Sequence, residues 1–385
     1  MLRKHLLPHK PVWDVFRENG FKAYFVGGCV RDALIGREAK DFDIATDAMP
    51  EDVKNIFEVN FDTGLKFGSV TILYGGHYYD VTTMRAESGY SDSRHPDSLE
   101  YTDDIKLDLK RRDFTVNAMA FSFDDGHLDL FGGVTDLNKK SIKAVGIPKK
   151  RFQEDALRML RAVRFSCELD FTIEPKTHKA IEKNAKGIAL ISKERIYSEF
   201  KRAVLSDYPG NMYYLRSTGL DRNIEPNLRA CVYHNIPNEK DLIVRLAYIF
   251  KNKETAIKAL EALKTDKQTF FNVLKVIEGR SRISDNSKYC VRKLISEIES
   301  VNAKRVLILK GYDLGPYNEI LADNDCTSLA DLLVNGNDLL STGIARDGID
   351  IKNILNSLLD EVMRDPSKNK FEVLLSKARQ LKGIS

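Results

Sequence analysis

The stretch "FVGGCVRDALIGREAKDFDIATD", residues 25 to 47, places two glycines, an arginine and two closely spaced aspartates inside one apolar run. Side chains alternate across a strand, so in "DFDIATD" Asp41 and Asp43 point to one face while Phe42 and Ile44 point to the other. Two neighbouring carboxylates repel each other. They stay ionised at little cost only with a positive group between them, and hard oxygen ligands at this spacing suit Mg2+ or Mn2+. Taken alone, the pair equally describes a solvent-exposed edge strand. Upstream, however, a strand ends in Gly27-Gly28 and opens a helix, a geometry whose backbone N–H groups hold phosphates. Arg31 falls in that helix, where it adds charge-assisted hydrogen bonds to a polyphosphate. A phosphate cradle directly before a metal-binding pair is the arrangement that nucleotidyl transfer needs. A third carboxylate, Asp80 in "HYYDVTTMR", lies on another predicted strand.

Composition sets the frame. At 385 residues, with domains of roughly 100 to 200 residues, the chain has room for two to four units and a sizeable core. Charged residues make up 30% and hydrophobic ones 43%, the balance of a globular protein. The net charge of +4 permits nucleic acid as a partner without arguing for it. Cys29, Cys167, Cys231, Cys290 and Cys326 form no CxxC pair and are odd in number, which points away from zinc sites and disulfide frameworks and towards a reducing cytoplasm. No apolar run approaches the roughly 20 residues that span a bilayer, so no membrane is expected. The start, "MLRKHLLPHKPVW", has too short an apolar segment for a signal peptide.

Up to about residue 140 short β-rich runs, "AYFVGG", "DFDIATD", "SVTILYGGHYYDVTTM" and "TVNAMAFSF", alternate with turns and brief helical segments, predicting an α+β domain. A basic stretch, "NKKSIKAVGIPKKRF" (138 to 152), marks the change to helical periodicity. Leu355, Leu358, Leu359, Val362 and Met363 have the spacing of an amphipathic helix. In "EDALRMLRAVR" a helix would carry Asp155, Arg158, Arg161 and Arg164 in steps of three, facing a cleft or solvent. Ala156, Met159, Leu160 and Val163 would anchor the opposite side. The same pattern also fits a solvated helix face laced with ion pairs.

These motifs together resemble those of the class II tRNA nucleotidyltransferase and bacterial poly(A) polymerase family, within the polymerase-β-like nucleotidyltransferases. "VGGCVRDALIG…DFDIATD" is similar to its signature. "KRRDFTVNAMAF" (110 to 121), "DLFGGVTDL" (129 to 137), "RFQEDALRMLRAVRF" (151 to 165) and "ISKERIYSEFKRAV" (191 to 204) follow in the family's order. Beyond residue 205 the likeness is looser. "LLVNGNDLL" (332 to 340) is similar to a C-terminal segment of the enzymes of Gram-positive type, although "STGIARDGIDIKNIL" lacks the proline-glycine-proline expected after it. The resemblance implies a nucleotidyltransferase head over 1–140 with a mixed sheet. An elongated all-helical neck (141–205), body (206–270) and tail (271–385) would follow it.

What the resemblance implies for function is addition of C, C and A to the 3′ end of tRNA from CTP and ATP. Asp41 and Asp43 fall on the family's metal-binding aspartates, with Mg2+ or Mn2+ as cofactor, and Asp80 on its third strand carboxylate. Gly28 and Arg31 match its triphosphate-binding positions. Arg112 matches a nucleotide contact, in a motif that reads the ribose 2′-OH, a role Asp113 would share. Asp155 and Arg158 match its base-reading pair, with Arg161 and Arg164 in the same pocket. The chemistry is coherent: cytosine and adenine both offer an amine donor beside a ring-nitrogen acceptor, which a carboxylate and an arginine satisfy, whereas uracil and guanine reverse that polarity. The helical domains would grip the acceptor stem and T arm by shape and charge. The polar stretch "RAESGYSDSRHPDSLEYTDDI" stands where the family has a flexible loop needed for the terminal A. The alternatives are a CC-adding or A-adding partial enzyme, a poly(A) polymerase, and, in another class, a non-catalytic RNA-binding protein.

Overall fold

The computed structural model describes residues 2–64, 68–88 and 98–383. The middle of the polar stretch, 89–97, lies outside the described residues, as do 65–67 in "FDTGLKFG". The chain divides into two compact units, Met1–Arg229 and Ala230–Ser385.

The first unit is built on a seven-stranded mixed sheet. Its strands are β1 (Ala23–Val26), β2 (Phe42–Thr46), β3 (Asn60–Gly64), β4 (Ser69–Tyr74), β5 (His77–Thr83), β8 (Ala120–Ser122) and β9 (Gly126–Leu128), in the order β3-β4-β5-β2-β1-β8-β9. Every neighbouring pair is antiparallel except β2 and β5, which run parallel. β6 (Arg85–Ser88) and β7 (Ser98–Tyr101) pair with each other and flank the 89–97 segment. The central strands are covered on both faces, which is why "AYFV" carries no polar alternation. Phe25 and Ile44 pack with Trp13 and Phe16 of helix Lys10–Glu18 on one side. Tyr24, Val26 and Ala45 pack with Met84, Leu109 and Ala120 on the other. The expected alternation in β2 holds: Ile44 is buried in the first layer and Phe42 packs against it.

Three expectations shift. Of "TVNAMAFSF" only Ala120–Ser122 is strand, because Thr115–Asn117 forms a 3-10 turn. The expected neck, 141–205, is not wholly helical: β10 (Ser141–Ile142) pairs in parallel with β11 (Thr172–Ile173), strands too short to show a period of two. Asp155 is not on the helix of the arginines. Its backbone is extended (φ −145°, ψ 107°), closing helix Pro148–Glu154 before helix Leu157–Leu169 begins.

The second unit is helical, from Leu242–Phe250 to Phe371–Lys382. On helix Gly348–Arg364 the stripe Leu355, Leu358, Leu359, Val362 and Met363 is buried as its spacing predicts. The expected boundary at 270/271 falls inside helix Lys267–Arg282, which runs through it unbroken from its Asp266 cap. Among the described residues no helix is long and apolar enough to cross a membrane.

Candidate active site

β1, β2 and β5 bring the aspartates together. β2 pairs with β5 so that Asp43 stands opposite Asp80, while on its other side Asp43 stands opposite Val26, the last residue of β1. The strand emerges from the core at this end: Ile44, Ala45 and Thr46 are buried, Asp43 is half-buried, and Asp41 and Asp80 are exposed. Thr71 on β4 donates a hydrogen bond to Asp80 Oδ1 at 2.6 Å. Burial pushes the Asp43 carboxyl above its ordinary value. Arg112 and Arg161 pull it down, Asp80 and Asp41 push it up, and the upward effects prevail. Such a group is relieved by a cation.

Among the described residues no three carboxylate, imidazole or thiol groups form a ready-made metal cage. The donors nevertheless fit a small hard cation. Mg2+ is usually bound by one or two carboxylates, with waters and substrate phosphates completing its shell, and an in-register Asp43/Asp80 pair with Asp41 beside it supplies that oxygen set.

The glycine turn adjoins the carboxylates. Gly27 has φ +73°, and a Cβ there would lie 3.0 Å from Arg112 Nη1 and 3.2 Å from Asp43 Oδ2. Gly27 is therefore required twice, for its backbone and for the close approach of two site side chains. The sequence singled out Gly28, whose added Cβ would make only an ordinary contact with Arg31, at 3.7 Å. The signal for Gly27 was its place at the strand end, where the chain must turn sharply. Helix Gly28–Leu34 follows, with no side chain capping its first amides.

The basic residues are extensively paired. Arg31 is buried, donating to both oxygens of Asp32 (2.9 and 3.0 Å) and to Asn117 Oδ1 (2.7 Å). Arg111 and Arg112 share the fully buried Asp108, at 2.6 and 3.2 Å. Burial alone would raise the Asp108 carboxyl, but the two guanidiniums hold it below its ordinary value. Arg112 Nε is shielded from solvent and has no hydrogen-bond partner. The "RRD" cluster is thus no surface salt bridge, and Asp108 is a supporting residue that the sequence did not single out.

Asp113 accepts from the Phe114 amide (2.8 Å) and Asn117 (3.3 Å) on one oxygen and from Arg161 (2.7 Å) on the other. Burial pushes its carboxyl up, yet Arg161, Arg158 and Asn117 together hold it down to about 2. Arg164 departs from the cleft-facing row. It is 2% exposed, donating to Glu199 (2.5 Å) and Glu168 (2.7 Å) and lying 3.9 Å from the centre of the Phe165 ring. Arg31 and Arg161 approach the same ring, at 5.4 and 5.3 Å.

Asp155 and Arg158 are placed at one helix start but do not bond to each other. Asp155 Oδ1 accepts from the Leu157 amide (2.9 Å) and Oδ2 from Arg195 (3.0 Å). Arg158 donates to Glu154 (2.7 Å) and to the Arg111 carbonyl (3.1 Å). That last bond joins the base-reading candidates to the segment carrying Arg112.

A family model described as "Poly A polymerase head domain" matches residues 23–143, and one described as "Probable RNA and SrmB- binding site of polymerase A" matches 170–231. The chain is 35% identical over 384 residues to a CCA-adding enzyme of Pediococcus pentosaceus, covering 97% of each protein. It is 36% identical to one of Lactobacillus gasseri, over 92% of this chain and 93% of that one. Among solved structures it is similar to the Bacillus stearothermophilus CCA-adding enzyme in complex with CTP. There the TM-score is 0.82 at 29% identity, covering 98% of this chain and 99% of that one.

Proposed function

We infer the reaction from one premise: the chain belongs to the family of CCA-adding enzymes, which it matches over nearly its whole length. It is a template-independent tRNA nucleotidyltransferase that adds C, C and A to the tRNA 3′ end from CTP and ATP and releases pyrophosphate. The observation that carries the site assignment is the cross-strand pair Asp43/Asp80 beside Gly27 and Arg112.

Asp41 and Asp43, helped by Asp80, would hold the divalent cations, Mg2+ with Mn2+ as a substitute. A cation bound there would supply acidity to the attacking 3′-hydroxyl and positive charge against the departing pyrophosphate. Arg31 and the Gly27-Gly28 turn hold the triphosphate, with Arg31 fixed by Asp32 and Asn117 before substrate arrives. Arg112, held by Asp108 and lying beside Gly27 and Asp43, contacts the nucleotide, and Asp113 sets the angle of Arg161. Asp155 accepts from the amine of cytosine or adenine, and Arg158 donates to the adjoining ring nitrogen. Arg161 and Arg164 close this pocket, Arg164 through its stack on Phe165 rather than from an exposed position. Head, neck, body and tail divide the work, the first two housing chemistry and base choice and the last two gripping the acceptor stem and T arm. Helix Lys267–Arg282 stays whole at the last boundary. The enzyme works in the cytoplasm.

The test is a product-length assay with labelled CTP and ATP on three tRNAs ending before the first C, after C and after CC, with Mg2+ or with chelator. All three should finish at CCA, and only with metal. A product stopping at CC, growth of a long A tail, or no incorporation would select the CC-adding, poly(A) or non-catalytic alternatives.

A further inference from the structure

Asp155 carries the burden of rejecting the wrong bases in the reading above, and the present inference rests on that reading. The terminal torsion of an aspartate is broad, so a carboxylate anchored through one oxygen can swing. Rejection of a carbonyl edge requires the opposite, acceptors that cannot turn away. Asp155 Oδ1 is anchored by the Leu157 amide at 2.9 Å. The second anchor comes from 40 residues further along the chain, where Arg195 on helix Lys193–Leu205 donates Nη2 to Oδ2 at 3.0 Å. Arg158 cannot supply it, being engaged with Glu154 and the Arg111 carbonyl. Nor is Arg195 shared. Asp155 is its one hydrogen-bond partner among the described residues, and its Nη1 is shielded from solvent with no partner at all.

We propose that Arg195 is a specificity-determining positioning residue: it locks the Asp155 carboxylate at one angle, so that an incoming base meets two fixed acceptors. Each oxygen keeps a lone pair beyond its anchor. An amine from CTP or ATP is satisfied there. The carbonyl of UTP or GTP faces an acceptor held from both ends. Without Arg195 the carboxylate pivots about the Leu157 amide and the penalty against the wrong base falls, while the amine of the right base can still draw it back.

The experiment measures kcat/KM for CTP over UTP, and for ATP over GTP, in wild type, Arg195→Ala, Arg195→Lys, Asp155→Asn and the double variant Asp155→Asn/Arg195→Ala. Arg195→Ala should lower both ratios by about ten-fold, the lower end of what one specific contact discriminates. Arg195→Lys, which retains a donor, should restore part of the loss. The double variant should match Asp155→Asn within about two-fold, because residues acting through one group are not additive. A merely structural arginine would reduce right and wrong nucleotides by the same factor. An unmoved ratio in both Arg195 variants, alongside a lowered one in Asp155→Asn, overturns the inference. An unmoved ratio in Asp155→Asn overturns the base-reading role itself and this inference with it. Should Arg195→Ala fail to fold, Arg195→Gln, which keeps most of the stem, is read in its place.

Discussion

The carboxylates on β2 and β5 and the arginines of helix Leu157–Leu169 stand in opposite electrostatic conditions. Asp43 has its charge opposed by burial and by Asp80 and Asp41, with Arg112 and Arg161 only partly offsetting them. Arg158, Arg161 and Arg164, by contrast, are each paired with a carboxylate, in Glu154, Asp113 and Glu199, with Glu154 also meeting Arg151 and Glu199 also meeting Arg161. One region is short of a cation and the other already has its counter-ions. A site that must bind and release metal with each substrate gains from incomplete satisfaction. A site that must refuse half of the nucleotides gains from groups that cannot move, since buried charges that are fully hydrogen-bonded hold one geometry. On the proposed reading, chemistry and choice are thereby built from differently satisfied surroundings within one unit.

The sharpest way to break this contrast is to remove a carboxylate from the first region. Asp43→Ala should lower transfer of both C and A by roughly a thousand-fold, the scale expected when a main source of electrostatic stabilisation is lost, while tRNA affinity stays within a few-fold. A filter-binding titration run beside the activity assay checks both halves. Equal loss of binding and rate would return the aspartates to a structural role.

Next in size is the turn between the regions. Gly27→Ala must place a Cβ at φ +73°, against Arg112 and Asp43. A left-handed backbone costs an ordinary residue roughly 1–2 kcal/mol, and the displaced side chains should lower kcat by a further ten-fold or more. Gly28→Ala meets only ordinary contact and should melt within a degree or two of wild type. Thermal melts and initial rates of the two variants side by side decide which glycine the fold needs.

The two regions also differ in how far local sequence reveals them. In β2 the strand period alone sets Asp43 against Phe42 and Ile44, because the repeat of two is fixed by backbone geometry, while Asp41 stands just before the strand. Even the third carboxylate was visible as a strand aspartate. The arginine row was legible as a motif but not as a geometry. Its spacing predicted four residues on one face, whereas the extended backbone at Asp155 takes that residue off the helix, and Arg164 turns inward to Glu199. Those outcomes depend on Asp113, Glu199 and Arg195, between 35 and 48 positions away, and no local period carries such pairings. Asp108, and the contacts that make Gly27 rather than Gly28 the constrained glycine, escaped for the same reason, since what they touch is set by packing between distant segments.

If the arginine region acts by fixed geometry, loosening it should change choice more than rate. Arg158→Ala should lower the CTP/UTP ratio of kcat/KM by about ten- to a hundred-fold, since a good bidentate contact carries roughly 1 to 3 kcal/mol of discrimination. Glu154→Gln, which removes the charge holding Arg158 Nη1, should give a smaller drop in the same direction. An unchanged ratio in both, in folded protein, would mean that this helix end serves stability alone.

The smallest effect concerns acid, which should reach the two regions in sequence. Behind the aspartates, His9 is buried against Phe42, with ring centres 3.8 Å apart, and its Nδ1 bonds the Tyr79 hydroxyl at 2.8 Å. Burial, with a smaller contribution from His77, lowers its pKa from 6.5 to about 4. A histidine whose folded pKa is depressed takes up a proton more readily when unfolded, so its contribution is complete above pH 6.5 and is lost as pH falls from there to about 4. At pH 5 the loss should reach about 1 to 2 kcal/mol. Asp113, held down to about 2 by Arg161, has the window of a depressed carboxylate: its contribution is complete above its unfolded value near 3.8 and falls only between there and about 2. Amide protection, taken relative to the intrinsic exchange rate at each pH, should therefore fall in β2 and β5 from pH 7 to 5 while that of helix Leu157–Leu169 holds. His9→Phe, which cannot be protonated, should flatten the response of the strands over that interval. Equal loss of protection in both regions, or a response that survives His9→Phe, would show that acid acts on the unit as a whole and that the two regions are not separately set.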